Sequence, residues 1–271
     1  MLRDLGTLDG PVLLFGGPYS NSDALEALMR AAGTAGIPPG QMICTGDAVA
    51  YCAAPSETVD MLRDAGICVV AGNCEKQLAS GADCCGCGFD EGSACELLSG
   101  SWYSYAAARI DPEQRAWMAS CPDVTVFEHQ GARYAVIHGG MTDVARFIWP
   151  DSLDAVFAEE WAAVEAAVGP VDHVIAGHSG IPFIRETGAG RWINAGVIGM
   201  PPHDGRQQTR YAVLDGGEVL IHKLSYDVTA AAARMAEAGL VQGYDRALLS
   251  GYWPSEDVLP PSLRLPSLAR G

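Results

Sequence analysis

Four polar side chains, widely separated in the sequence, each follow a short apolar run rich in β-forming residues. They are Asp47, Asn73, His138 and His178. The runs are residues 42–44, 67–70, 134–137 and 174–176. In layered α/β folds the ends of neighbouring strands face one crevice, and ligands bind there. Two imidazoles, a carboxylate and an amide oxygen in such a crevice are suitable ligands for a divalent transition metal. The pattern therefore predicts a metal site.

The first part of the chain alternates between strand and helix patterns. The predicted strands are residues 11–15, 42–44 and 67–70. Helical patterns begin near Ser22 and Pro55, between these strands. Strand–helix–strand units imply right-handed crossovers and a parallel sheet. Residues 73–92, crowded with Gly and Cys, predict an irregular segment, and residues 93–120 predict a helix in two pieces.

The second part of the chain predicts a further set of strands. Residues 124–128 and 134–137 flank Gln130-Gly131 and predict a hairpin, and residues 153–168 predict a helix. An antiparallel series is predicted at 182–186, 191–194, 210–214 and 219–224. Two helices near 227–238 and 243–250 precede a Pro-rich, extended end. Two sets of strands with helices outside them predict two sheets between helical layers.

The charge and apolar content of the chain argue against some classes of function. The chain has 271 residues, with 17 basic and 33 acidic side chains and a formal net charge of -16. Such a surface repels phosphate backbones, which argues against broad binding to nucleic acid. A bound metal can reverse the sign of the charge locally, so the acidic composition remains compatible with the binding of small phosphorylated substrates. No apolar run is long enough to span a membrane, and the first residues lack a signal-peptide pattern, so we expect a cytoplasmic protein. Its oligomeric state is unknown at this stage.

Nine cysteines are many for a cytoplasmic protein, and the odd number argues against a disulfide framework. One Gly-rich segment holds Cys84, Cys85, Cys87 and Cys95, with Cys74 upstream. These thiolates could bind zinc or iron beside the predicted site. Alternatively they are reduced thiols in a surface loop or small core residues. The absence of paired Cys-x-x-Cys motifs favours the second interpretation.

The order of several short motifs resembles the calcineurin-like metallophosphoesterases, in particular their small bacterial phosphodiesterase branch. The motifs are Gly46-Asp47, Gly72-Asn73, His138-Gly139, Gly177-His178 and Trp192-Ile193-Asn194-Ala195-Gly196. The resemblance extends from about residue 11 to 224. It implies an α/β fold, a four-layer α/β/β/α sandwich of two mixed sheets flanked by helices. We expect this domain in residues 1–225, with a Cys/Gly-rich insert at 74–95, and a helical, Pro-rich extension at 226–271 packed on it.

The resemblance also implies a pair of metal ions, but only one ligand set is present. The family's Asp-x-His turn falls on Gly17-Pro18-Tyr19, and the second His of its Gly-His-x-His turn falls on Gly180. The other set is complete in Asp47, Asn73, His138 and His178. We therefore expect one Mn²⁺, Zn²⁺ or Fe²⁺ ion per chain. The alternative is an inherited scaffold that binds no metal, with these side chains held by hydrogen bonds. Because random decay should erode both ligand sets, the intact set favours metal binding.

The residues expected to act in catalysis are Asp47, His138 and Cys74. Cys74 stands where the resemblance places a His that binds phosphate and protonates the leaving group. A thiol can donate a proton but does not reproduce an imidazolium beside a phosphate.

Three further residues are weaker candidates for substrate contact. A backbone N–H at Gly17 could face an anion. The Tyr19 hydroxyl could contact a phosphate oxygen, although packing in the core is an equal alternative. His203 lies in a loop that could line the rim of the crevice.

Three functional hypotheses follow. The first is a divergent, metal-dependent phosphoesterase that hydrolyses a small phosphomonoester or phosphodiester with metal-activated water. The second is a catalytically inactive binding or regulatory protein on the same scaffold. The third is a thiol or metal–sulfur function of the 74–95 segment.

Overall fold

The computed structural model describes residues 1–88 and 92–265, without the side chains of 95–97. Its strands are β1 Leu2–Thr7, β2 Val12–Phe15, β3 Met42–Cys44, β4 Cys68–Val69, β5 Val124–His129, β6 Ala132–Val136, β7 His173–Ala176, β8 Phe183–Glu186, β9 Arg191–Asn194, β10 Thr209–Asp215 and β11 Glu218–Leu224. Its α-helices are α1 Ser22–Thr34, α2 Pro55–Asp64, α3 Asn73–Ser80, α4 Ala94–Ala107, α5 Pro112–Ser120, α6 Asp154–Val168, α7 Val228–Glu237 and α8 Tyr244–Ser250.

The strands form two mixed sheets. One has six strands in the order β1-β5-β6-β7-β9-β8, and the other has five in the order β11-β10-β2-β3-β4. In the five-stranded sheet β2, β3 and β4 are parallel, as the strand–helix–strand pattern predicts. In the six-stranded sheet β6 pairs in parallel with β7, which pairs in parallel with β9. Because β3, β4, β6 and β7 end at one edge of the molecule, the loops that follow them meet there.

Three apolar clusters fill the spaces between the layers. Leu14 and Ile43 of one sheet pack against Val136 and Ile175 of the other, between the sheets. The outer face of the five-stranded sheet packs against most of the helices, and the outer face of the six-stranded sheet packs against α6. The four-layer α/β/β/α sandwich is therefore confirmed. No helix in the described ranges has the length and apolar character needed to cross a bilayer.

Three details of the predicted elements are wrong. The segment predicted as irregular begins with the helix α3. The strand β1 was not predicted because its residues are largely exposed at a sheet edge and lack an apolar alternation. The last four strands are two separate hairpins, because β9 joins β7 of one sheet while β10 joins β2 of the other.

The helices of the C-terminal extension share the core of the helical layer. Met235 of α7 and Leu248 of α8 are fully buried, in the same cluster as Leu25 of α1. The boundary near residue 225 remains a prediction.

Candidate metal centre

The candidate ligands occupy the loops that leave β3, β4, β6 and β7. Asp47 and His178 adopt left-handed backbone conformations, with φ of 56° and 60°. Asp and His tolerate this region better than most residues, but it is sparsely populated. Such conformations concentrate where a loop must present a side chain in one direction. Asn73 is the first residue of α3, so the helix start places its side chain.

The four ligand atoms lie close together in the buried centre of this edge. His138 Nε2 is 3.1 Å from Asn73 Oδ1 and 3.0 Å from His178 Nδ1. It is 3.3 Å from Asp47 Oδ2, which is 4.0 Å from His178 Nδ1. Tetrahedral ligands at metal distances near 2.0–2.1 Å are separated by about 3.4 Å. The spacing of these atoms therefore fits one transition-metal ion.

Neighbouring carbonyl groups orient two of the ligands. His138 Nδ1 donates to the carbonyl oxygen of Thr45 at 2.6 Å, which turns the Nε2 atom toward the centre. Asn73 Nδ2 donates to the carbonyl oxygen of Cys85 at 2.9 Å, which turns the amide oxygen inward. Hydrogen bonds of this kind set the tautomer and orientation of metal ligands. Acceptor atoms that converge in this way need a cation or a proton between them.

The charges of Asp47, His138 and His178 shift one another's pKa values. Burial acts to raise the pKa of Asp47, but the charge and hydrogen bond of His138 outweigh it and lower that pKa. Burial acts to lower the pKa of His138, but Asp47 outweighs it and raises that pKa. Burial, and then the positive charge of His138, lower the pKa of His178 to about 3. His178 is therefore a neutral imidazole, the form that binds metal.

Glu75 is a buried residue of the site that our reading of the sequence missed. Its carboxylate accepts from the backbone N–H groups of Asp47 at 2.8 Å, Ala48 at 2.7 Å and Gly72 at 2.8 Å. It thus joins the loop that carries Asp47 to the start of α3. The sequence did contain a signal for this role: Glu75 lies three residues after Gly72, a position at which an acidic side chain commonly caps the start of a helix.

The positions that resemble the family's other metal site are filled by aromatic rings. Tyr19 is 6% exposed, lies beside Asp47 and lines a cavity above the candidate centre. A β-carbon added at Gly180 would lie 3.5 Å from the Trp253 ring. Trp253 comes from the segment after α8, far along the chain from Gly180.

Two of the weaker candidates make contacts within the protein. The Gly17 N–H donates to the carbonyl oxygen of Gly46 at 3.1 Å, so it is not directed at a ligand. His203 Nε2 pairs with Glu256 at 3.0 Å, and His203 Nδ1 accepts from the Trp253 backbone N–H at 2.8 Å. His203 is also absent from the cavity lining among the described residues. For these two residues the contacts support a structural role, whereas Tyr19 stands at the cavity.

The cysteines separate into different environments. Cys74 is buried and lines the cavity, and burial, then the charge of Asp47, raise the pKa of its thiol. Cys84 is exposed. Cys85 and Cys87 are joined in a disulfide, so in this form neither offers a thiolate to a metal. This pair is one local bridge, not the framework that the odd cysteine count argued against. The Cys95 side chain lies outside the described part of the chain.

Comparison with known proteins identifies relatives over most of the chain. The family model of the calcineurin-like phosphoesterase superfamily domain matches residues 20–218. An uncharacterized protein of Methanocaldococcus jannaschii is 23% identical over 252 residues, which cover 86% of this chain and 95% of the relative.

Two solved structures share the fold along nearly their whole length. A metallophosphoesterase from Sphaerobacter thermophilus has a TM-score of 0.68 at 20% identity and covers 89% of this chain and 99% of its own. A hypothetical protein from Pyrococcus horikoshii OT3 has a TM-score of 0.72 at 16% identity, with coverages of 94% and 99%.

Proposed function

Since the chain belongs to the calcineurin-like phosphoesterase superfamily, we propose that it is a divergent metal-dependent phosphoesterase. The proposed reaction is the hydrolysis of a small phosphomonoester or phosphodiester. One divalent Mn, Zn or Fe ion per chain would be held by Asp47, Asn73, His138 and His178.

One observation carries this proposal: four buried ligand atoms from four separate loops are 3.0–4.0 Å apart along the measured pairs. The orientation of His138 and Asn73 by carbonyl groups supports a built metal site rather than a chance cluster. In the inherited scaffold without metal, a single proton on His138 Nε2 would have to serve the acceptor atoms of Asp47, Asn73 and His178 together, which leaves part of this buried polar group unsatisfied.

In the proposed reaction the bound ion and the side chains of the site would have different roles. A divalent ion held here would act as a Lewis acid on the phosphate and lower the pKa of a bound water. Asp47 would supply negative charge, and the two imidazoles would hold the ion in place. We propose that Cys74, protonated because burial raises its pKa, donates a hydrogen bond to the substrate at the cavity wall. Its raised pKa makes it a weak proton donor, so a good leaving group is expected to react faster.

Metal analysis tests the site directly. We expect one transition-metal ion per chain in protein purified without chelator. The variant His178→Ala should bind that ion at least tenfold more weakly, because it removes a ligand. The variant His222→Ala is the matched control, since this histidine lies on β11 and stacks on Tyr211 away from the centre. Two ions per chain, or equal binding by both variants, would contradict the proposed site.

Turnover is tested separately with a panel of phosphate mono- and diesters, from methyl and ethyl esters to generic aryl esters, in mM Mn²⁺, Zn²⁺ or Fe²⁺. Hydrolysis that is lost in His178→Ala and kept in His222→Ala supports the phosphoesterase. If the metal binds and no ester on a broad panel is cleaved, the reaction class is wrong.

A second candidate is a catalytically inactive binding or regulatory protein that retains one cation site. The aromatic rings of Tyr19 and Trp253 at the family's other metal positions favour it. The test restores that site with Gly17→Asp, Tyr19→His and Gly180→His, together with Trp253→Gly to make room. Activity that appears only in the restored protein supports this candidate. Activity in the unchanged protein contradicts it.

A third candidate is a thiol or metal–sulfur function of residues 74–95. Two sulfur atoms beside the centre favour this candidate. Cys87 Sγ lies 3.4 Å from Asn73 Nδ2, and Cys74 Sγ lies 3.5 Å from the same nitrogen. Reduction and alkylation of the thiols should then release or alter the bound metal. No change in metal content after complete alkylation would contradict this candidate.

We also propose a cytoplasmic location and a small phosphorylated partner. Among the described side chains six cysteines are free and two form one local disulfide, and the excess of free thiols favours a reducing compartment. The net charge of -16 disfavours binding to nucleic acid. Cell fractionation tests the location, and recovery of the protein in a membrane or secreted fraction would contradict it.

A further inference from the structure

The cavity above the candidate metal centre has walls of uncommon composition for a phosphate site. Asp47 and His178 lie at its base, and its walls include Tyr19, Phe147, Met200, Trp253 and Val258. The rings of Tyr19 and Tyr51 meet edge to face, with centroids 4.8 Å apart. Apart from the base, the walls are therefore largely aromatic and aliphatic.

The cavity is small. Its volume is about 50 Å³. One water needs roughly 10–15 Å³ of such volume, so the space holds about four waters. A phosphate group with one or two further heavy atoms fills this space, so an aryl ring or a nucleoside beside the phosphate would have to extend out of it.

The charge of the cavity lining agrees with a single phosphate. Among the described residues that line it, no Lys or Arg is present and Asp47 is the carboxylate. A second phosphate group would enter a partly enclosed space without a cationic side chain, which is costly for an anion. The lining is thus suited to an uncharged substituent on the phosphate.

The roof of the cavity is fixed in place by the segment that follows α8. Trp253 Nε1 donates to the carbonyl oxygen of Pro201 at 2.7 Å, and its backbone N–H donates to His203. Val258 and Leu259 of the same segment pack with Ile181, and Leu259 is 1% exposed. These contacts hold the indole over the cavity, so its bulk limits what the cavity admits.

We propose that the site selects substrates with a single phosphate that carries a small uncharged group, and that Trp253 sets the size limit. For the reaction itself this inference rests on the proposed phosphoesterase function. The selection of ligands by size and charge is a property of the cavity and is measured without turnover.

Binding of phosphonates, which are not hydrolysed at phosphorus–carbon bonds by this chemistry, gives the test. The full chain loaded with Mn²⁺ is titrated calorimetrically with methylphosphonate, phenylphosphonate and methylenediphosphonate, which carries a second anionic phosphorus group. We expect methylphosphonate to bind at least tenfold more tightly than either of the others. Equal affinity for all three would overturn the proposal, as would the absence of binding by methylphosphonate.

Two variants that enlarge the cavity test the size limit. Trp253→Ala should strengthen phenylphosphonate binding about tenfold relative to methylphosphonate and leave the discrimination against methylenediphosphonate unchanged. Val258→Ala, a smaller truncation in the same roof, should act in the same direction and is available if the first variant does not fold. The control Tyr252→Ala removes the neighbouring ring, which packs on His203 and does not line the cavity.

The outcomes separate this inference from the proposed function. Selective phosphonate binding without hydrolysis of any ester supports the cavity inference and contradicts the phosphoesterase. Hydrolysis of esters without discrimination by size or charge contradicts the inference alone. Equal effects of Trp253→Ala and Tyr252→Ala would mean that a loosened segment, not the indole, changes binding, and would overturn the role of Trp253.

Discussion

At the scale of single residues, the candidate centre depends on groups that do not themselves bind the ion. Asp47 reaches the centre from a strained turn whose N–H groups need a buried acceptor. Glu75 supplies it and is 0% exposed. Burial, and then the charge of Asp47, raise the pKa of Glu75, so it costs free energy to keep this carboxylate ionised. The three hydrogen bonds that it accepts from backbone N–H groups offset this cost.

We expect Glu75→Gln to weaken metal binding by about 10–100-fold, the range typical of groups that orient metal ligands. The amide has one acceptor oxygen for three N–H donors, and its NH2 group would face one of them. Metal affinity is measured by titration of the metal-free protein. The exposed Glu26→Gln is the control. Unchanged affinity in Glu75→Gln would show that the loop holds its shape without this carboxylate.

At the scale of elements, the site is held by contacts between pieces that are distant in sequence. The helix α3 begins with the candidate ligand Asn73 and carries Lys76 on its exposed side. Lys76 pairs with Asp123, just before β5 of the six-stranded sheet. This ion pair links a helix of one layer to a strand of the other, beside the metal edge.

The link between Lys76 and Asp123 should make stability depend on pH. Burial acts to raise the pKa of Asp123, but its hydrogen bonds from Lys76 and from the N-terminal ammonium of Met1 outweigh this and lower the pKa. A lowered pKa in the folded state contributes stability above the unfolded-state pKa, and that stability is lost as the pH falls through the folded-state value. Because the pair is partly exposed, we expect Asp123→Asn to cost only about 0.5–1 kcal/mol at neutral pH.

Denaturant unfolding at several pH values measures this difference. The two proteins should differ at neutral pH and converge in acid, where Asp123 is protonated in both states. The variant Asp9→Asn serves as a control. A difference that persists unchanged in acid would mean that Asp123 acts by packing or by other hydrogen bonds.

At the scale of the whole molecule, the C-terminal extension belongs to the body that forms the site. Its helices bury apolar side chains in the same cluster as α1, and the segment after them roofs the cavity. The family model matches residues 20–218, so the roof lies outside the matched part of the chain. We therefore expect residues 226–265 to unfold together with the rest of the chain.

Two adjacent leucines of α8 test that expectation. Leu248 is 0% exposed and Leu249 is 44% exposed. Leu248→Ala should lower the free energy of unfolding by about 2–5 kcal/mol in a single transition, because it leaves a cavity in the shared core. Leu249→Ala should have little effect. Thermal unfolding followed by circular dichroism measures both. A separate early transition in Leu248→Ala would instead indicate an extension that unfolds alone.

The meeting of the four candidate ligands at one edge of the molecule was predictable from the sequence because each follows a local pattern. Asp47, Asn73, His138 and His178 each come just after an apolar run, and strands that end at one edge bring such residues together. The layers of the fold were predictable for the same reason, since strand and helix periods are local properties. Helix α3 was not predicted, because the Gly and Cys residues of this segment favour irregular structure and the start of the helix depends on Glu75.

Sequence patterns were enough to predict the types and order of the candidate ligands and the sandwich that presents them. The surroundings of these residues followed only from the packing of the chain: Trp253 over Gly180, the carbonyl of Cys85 against Asn73, and the pairing of His203 with Glu256. The reason is physical. A ligand at a strand end is marked by its neighbours in the chain, whereas a contact between distant segments depends on how whole layers pack, and leaves no periodic trace in either segment.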